Sequence, residues 1–156
     1  PEEQQDLWNM THEGNVDMIA TDHAPHSYDE KVLDFEGAPS GFPGIDVSLP
    51  LLLTQVAQYR IALDKIVQFY AENPAKIYQI PNKGKIALGY DADIVLVDRC
   101  DPYKYSPDHS YSKAKWSPYV GQTLLYKVNQ VFLAGELAFD SSTNFISAKG
   151  QWIHHQ

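Results

Sequence analysis

Within five residues the chain places one carboxylate and two imidazoles, in Thr21-Asp22-His23-Ala24-Pro25-His26. Aspartate oxygen and histidine nitrogen are hard-to-borderline donors that suit zinc. Both groups also serve general acid–base chemistry. Pro25 stiffens the turn and is expected to hold His26 away from Asp22. Chemistry alone leaves two readings open: a metal or catalytic cluster, and a turn with an Asx cap flanked by solvated histidines.

The elements around the cluster decide what it can do. The apolar run Val16-Asp17-Met18-Ile19-Ala20-Thr21 has the length and composition of a buried parallel strand. Ionisable residues at the C-terminal end of such a strand occupy the place where α/β folds put their chemistry. Residues 3–14 predict a helix with Leu7, Trp8 and Met10 on its apolar side and Gly14 as its stop. Residues 27–44, with Pro39, Gly41, Pro43 and Gly44, predict a loop long enough to be functional. A helix from Val47 to Gln58 carries Leu49, Leu51, Leu52, Leu53 and Val56 into a core, and Asp64 to Tyr70 predicts another. Asn73 as cap and Pro74 at the first helical position predict a short fourth helix.

From Pro81-Asn82-Lys83-Gly84 onward the pattern turns to β. Lys85-Ile86-Ala87 and Ile94-Val95-Leu96-Val97 predict strands, and Val128 to Phe139 predicts two more joined at Ala134-Gly135-Glu136. Residues 101–122 are polar, aromatic and without period. Tyr103, Tyr105, Tyr111, Trp116 and Tyr119 are expected to pack that stretch onto the β module and the helices. Residues 141–156 predict a loose tail, and the pair His154-His155 receives no function.

Composition narrows the class. The chain has 156 residues, 44% of them hydrophobic, and a formal net charge of −8. Phosphate backbones and anionic lipid both call for a basic face, so nucleic acid and membrane surfaces are excluded as expected partners. No apolar run reaches the length of a membrane-spanning helix. Cys100 stands alone, which rules out an intramolecular disulfide and fits a reducing compartment such as the cytoplasm. The start Pro1-Glu2-Glu3-Gln4-Gln5-Asp6 carries no initiator methionine and no signal-peptide pattern, and reads as a helix entered in mid-protein. A fragment or truncated gene product is the expectation.

Four stretches together resemble the dihydroorotases of the amidohydrolase superfamily. They are Thr21 to His26; Ala38-Pro39-Ser40-Gly41-Phe42-Pro43-Gly44 with Ser48-Leu49-Pro50; Asn73-Pro74-Ala75-Lys76 with Gly84 to Val95; and Ser112-Lys113-Ala114-Lys115-Trp116-Ser117-Pro118-Tyr119. The resemblance runs from about residue 1 to about residue 140. It implies an α/β fold: the C-terminal portion of a (β/α)8 TIM barrel over residues 1–81, a β-rich composite sandwich module over 82–140, and a tail over 141–156. It implies a two-zinc centre to which Asp22 contributes a ligand, with most ligands missing from this chain. Asp22 would also be catalytic, taking a proton during attack on a cyclic amide and returning it to the ring nitrogen. His26, Ser40 and Gly41 would bind the substrate, dihydroorotate or N-carbamoyl-L-aspartate.

Allantoinases and hydantoinases share the downstream β motifs, and the Ala24-Pro25-His26 sequence favours the dihydroorotase pattern over theirs. A different class also stays open: a non-catalytic remnant or subunit acting through protein interaction. Partners in these readings are an N-terminal complement, a second copy, or aspartate carbamoyltransferase. The isolated chain is expected to be inactive.

Overall fold

The computed structural model describes residues 2–147 and 150–153. Helices occupy the first half and an antiparallel sheet the second. Helix α1 spans Glu2–Glu13. Gly14 ends it in the left-handed conformation, at φ 81°, and the Asn15 amide donates back to the Met10 carbonyl. A residue without Cβ adopts that turn without steric cost. Of the apolar side predicted for α1, Trp8 packs inward, while Leu7 and Met10 remain exposed.

The strand expected at Val16–Thr21 does not form a ladder. The stretch carries no regular secondary structure, and two of its backbone groups are taken by the helical segment that follows. The Ile19 amide donates to the Phe69 carbonyl, and the Asn73 side chain donates to the Asp17 carbonyl at 2.6 Å. A strand is defined by a neighbour that takes its N–H and C=O groups, and among the described residues no second strand lies beside this one. A single parallel bridge, His23 with Phe42, is what remains of sheet pairing there. The predicted strand at Lys85–Ala87 is likewise irregular, with Ile86 and Leu88 exposed.

The loop at 27–44 contains a one-turn helix, α2 (Tyr28–Lys31). Ser27 caps it and Glu30 returns the hydrogen bond, the reciprocal capping-box arrangement. Helix α3 runs Ile45–Ala57, two residues earlier than expected, and keeps Pro50 inside it. Helix α4 (Leu63–Val67) passes through a π-helical turn (Gln68–Glu72) directly into α5 (Asn73–Ile77). Asn73 is therefore a continuing helical residue rather than a cap, which frees its side chain to hold Asp17.

The sheet has the order β1-β2-β3-β4. Strand β1 spans Ile94–Lys104, β2 Thr123–Leu133, β3 Glu136–Asp140 and β4 Phe145–Ile146, so part of the expected tail is strand. Strand β1 runs well past Val97. Its register with β2 shifts between Arg99 and Tyr103, around Pro102. A proline cannot donate to the ladder and is accommodated at such an irregularity.

Helix α3 lies between two cores. On one side Val47 joins Tyr105 and Leu124, with Leu51, Tyr103 and Tyr119 packed around them. On the other, Leu52 and Val56 pack on Ile61, Ile66 and Phe69, together with Trp8 and Ile19. Full burial of side chains of this size is worth about 1.5–3 kcal/mol each. Buried Thr54 adds a polar joint: its hydroxyl donates to the Pro50 carbonyl at 2.8 Å and accepts the Leu125 amide of β2 at 3.1 Å. The expected aromatic packing does form at Tyr103, at the end of β1, and at Tyr105 and Tyr119 between β1 and β2, whereas Tyr111 is exposed with one edge on Phe139.

Candidate active site

Asp22 leaves the 16–21 stretch at φ 44°, a left-handed conformation that aspartate tolerates better than most residues but that still needs external support. Its side chain is exposed at the end of the segment. The next residues are tied to the loop that carries Ser40 and Gly41. The Ala24 amide donates to the Phe42 carbonyl at 3.2 Å. Gly41 has φ 100°, and a Cβ placed on it would lie 2.6 Å from the Ala24 Cβ and 3.0 Å from the Ala24 carbonyl oxygen. Glycine is thus required there for two reasons, backbone conformation and contact with the turn.

His23 turns away from the role of a solvated histidine. Its Nδ1 accepts the Gly44 amide at 3.1 Å and the Ile45 amide at 3.3 Å. These are the amides of the N-cap residue and of the first residue of α3, and Gly44 itself makes no side-chain cap. His26 is half-buried, with its Nδ1 3.9 Å from a Glu30 oxygen. Glu30 is held below the usual carboxylate range mainly by its side-chain hydrogen bond with Ser27, with further lowering from the Ser27 amide.

The segment before β2 reaches this turn. The Trp116 indole N–H donates to the His26 carbonyl at 2.7 Å. The Lys31 ammonium donates to the Pro39 carbonyl at 2.5 Å and lies 5.9 Å from the centroid of the Trp116 ring. Phe42 meets Tyr119 edge-on at 5.9 Å. Asp46 in α3 accepts the Ser110 hydroxyl at 2.6 Å and the Tyr111 amide at 3.0 Å. So the turn, the glycine loop, the start of α3 and the aromatic segment meet in one place.

Of the four residues predicted for the site, Gly41 is in contact with the turn that bears Asp22 and His26, and Ser40 stands beside it, exposed. His23 belongs to the cluster singled out in the sequence, but its tie to α3 is not expected there, and Trp116 and Lys31 are not among the site residues that the sequence predicts. The metal fares differently. Among the described residues no three His, Cys, Asp or Glu side chains converge in a way that could hold an ion. His23 Nδ1 is already engaged, and Asp22 offers carboxylate oxygens alone. By themselves these donors do not fit a two-zinc centre.

The amidohydrolase family model matches residues 1–138. The dihydroorotase of Methanosphaera stadtmanae is 44% identical over 114 residues, covering 70% of this chain and 27% of that protein. The dihydroorotase of Methanosarcina acetivorans is 32% identical over 149 residues, covering 94% of this chain and 32% of that protein. Among solved structures, the D-hydantoinase (dihydropyrimidinase) from Thermus sp. superposes with a TM-score of 0.85 at 26% identity, covering 92% of this chain and 32% of that one. This chain therefore spans about a third of the length of these relatives. A match over residues 1–138, with these four regions gathered around one turn, means that the chain belongs to the amidohydrolase family.

Proposed function

We propose that this chain supplies the acid–base carboxylate and part of the substrate-binding wall of a dihydroorotase, acting in pyrimidine biosynthesis in the cytoplasm. The observation that carries the reading is the close contact of Gly41 with Ala24, which brings the Ser40–Gly41 loop against the turn of Asp22 and His26. Similarity to dihydroorotases at 32–44% identity supports the substrate class over hydantoins. The fold in this proposal is the C-terminal part of a (β/α)8 barrel over residues 1–81, followed by a β-rich module over 82–140.

In ring opening, Asp22 takes a proton from the attacking water while the water oxygen bonds to the cyclic amide carbon. The carbon–nitrogen bond then breaks, and the proton passes from Asp22 to the departing nitrogen, giving N-carbamoyl-L-aspartate. Ring closure is the reverse. An exposed carboxylate whose turn is held at both ends can take the proton and return it without rearranging the backbone. His26, with Ser40 and the Gly41 backbone, orients the ring and its carboxylate. Zinc belongs to this reading as a cofactor whose ligands, Asp22 apart, lie outside these residues. An N-terminal complement, a second copy or aspartate carbamoyltransferase are the partners compatible with it.

The test is a chimera in which this chain replaces the matching third of the Methanosarcina acetivorans dihydroorotase. Ring opening of dihydroorotate is followed by its far-ultraviolet absorbance, with hydantoin and allantoin as comparison substrates. The chimera is expected to open dihydroorotate in preference to both. Asp22→Asn is expected to lower kcat by about 10²- to 10⁴-fold, the usual range for loss of an acid–base group. A folded chimera that prefers hydantoin, or that is indifferent to Asp22→Asn, would refute the assignment.

A further inference from the structure

We infer that His23 is a positioning residue, which fixes the direction of the Asp22 carboxylate by capping α3 through Nδ1. The inference rests on the role proposed for Asp22 and adds a second residue to it. Three observations carry it. Asp22 sits at φ 44°, a backbone state that persists only where the surroundings over-determine it. Its N-terminal side is fixed by the Ile19 amide on the Phe69 carbonyl and by Asn73 on the Asp17 carbonyl. Its C-terminal side is fixed at the next residue, where His23 Nδ1 receives the Gly44 and Ile45 amides at 3.1 and 3.3 Å.

The two amides are those of the N-cap residue of α3, a glycine without a side chain, and of the first residue of the thirteen-residue helix. The imidazole therefore takes up amides at the start of α3 that have no partner within the helix, from a residue remote in sequence. An Nδ1 that accepts two N–H groups carries no proton, so the ring proton of the neutral side chain resides on Nε2. The backbone adds to this tie, since Phe42 of the glycine loop bridges His23 and its carbonyl accepts the Ala24 amide. Loss of the tether lets Asp22 relax from the left-handed state and turns its carboxylate off line. A misplacement on the order of 1 Å in such a group costs about 10²-fold in rate.

The geometry makes a sharp distinction between isosteres. Asparagine places its carbonyl oxygen near the position of Nδ1, glutamine places its amide near Nε2, and leucine fills the space without an acceptor. In the chimera, His23→Asn is expected to keep kcat within about fivefold of the parent, while His23→Gln and His23→Leu lose about 10²-fold with KM nearly unchanged. Equal activity in all three variants, or rescue by glutamine in place of asparagine, would overturn the proposal. The second would mean that Nε2 touches the reacting groups. A variant that fails to fold leaves a direct measurement on the parent 156-residue chain. Long-range ¹H–¹⁵N correlation spectra of His23 are expected to show an unprotonated Nδ1 and a protonated Nε2, and the opposite tautomer overturns the tether. That spectrum is independent of substrate, so failure of the chimera to open dihydroorotate would count against the proposed function alone.

Discussion

Strands β1 and β2, eleven residues each, satisfy their backbone groups chiefly on each other. The turn from Asp22 to His26 borrows its partners from everywhere else: the Phe42 carbonyl, the α3 amides and the Trp116 indole. The sheet is thus a self-contained ladder, and the turn is a junction. Residues that must present a carboxylate to a substrate cannot also be locked in a ladder at that point. The rigidity they need comes from long-range single bonds, each of which is a separate point of failure. The two regions are joined at α3, which carries a core on each side and the Thr54 bond to β2.

Breaking the junction is expected to have the largest effect. Gly41→Ala puts a Cβ 2.6 Å from that of Ala24 and strains a φ of 100°. Activity of the chimera on dihydroorotate should fall by about 10²-fold, the effect of moving a catalytic wall by roughly 1 Å, while the sheet keeps its circular-dichroism signal. Breaking the joint between regions comes next. Thr54→Val retains shape but strands the Leu125 amide, so urea unfolding should show a loss of about 1–3 kcal/mol. An undiminished midpoint would mean that α3 and β2 are held by apolar packing alone.

Perturbing the sheet from within is the mildest change. Burial, with smaller contributions from Cys100 and Tyr105, pushes the Tyr103 phenol up to about 12 from its ordinary 10.0. The unfolded chain therefore loses that proton first as pH rises. The stability held by neutral Tyr103 is complete below pH 10 and declines as the pH climbs towards about 12. Tyr103→Phe should flatten that alkaline decline, seen in thermal unfolding across the same interval, and leave the neutral-pH melting curve close to the parent's.

The chemistry was legible in the sequence where residue type alone is informative. Asp22 and its two neighbouring imidazoles stand out by residue type, while the roles expected of His26, Ser40 and Gly41 come from the resemblance. The bonding of His23 was not legible, because its partners are backbone amides 21 and 22 residues away, which no side-chain motif records. Trp116 is 90 residues from the carbonyl it holds, and it was read as packing for the same reason. Some signals were present and passed over: Ser27 with Glu30 is a capping box, and it announces α2. Others pointed the wrong way. Asn73-Pro74 looks like a helix start, yet the π turn before it continues the helix and frees Asn73 for Asp17. The apolar run at 16–21 has strand composition, but composition cannot provide the neighbour that a ladder requires. In β1, charged Asp98, Arg99 and Asp101 and the irregularity at Pro102 disguised the second half of the strand.

Amide hydrogen exchange of the 156-residue chain tests most directly whether the turn and the glycine loop form one unit. The Ala24, Gly44 and Ile45 amides are predicted to exchange with a common opening free energy, at least about 10²-fold more slowly than an unstructured peptide, as one cooperative element should. Exchange of these three at unstructured rates, with the β1–β2 amides still protected, would show that Asp22 stands on a loose loop and would contradict the account.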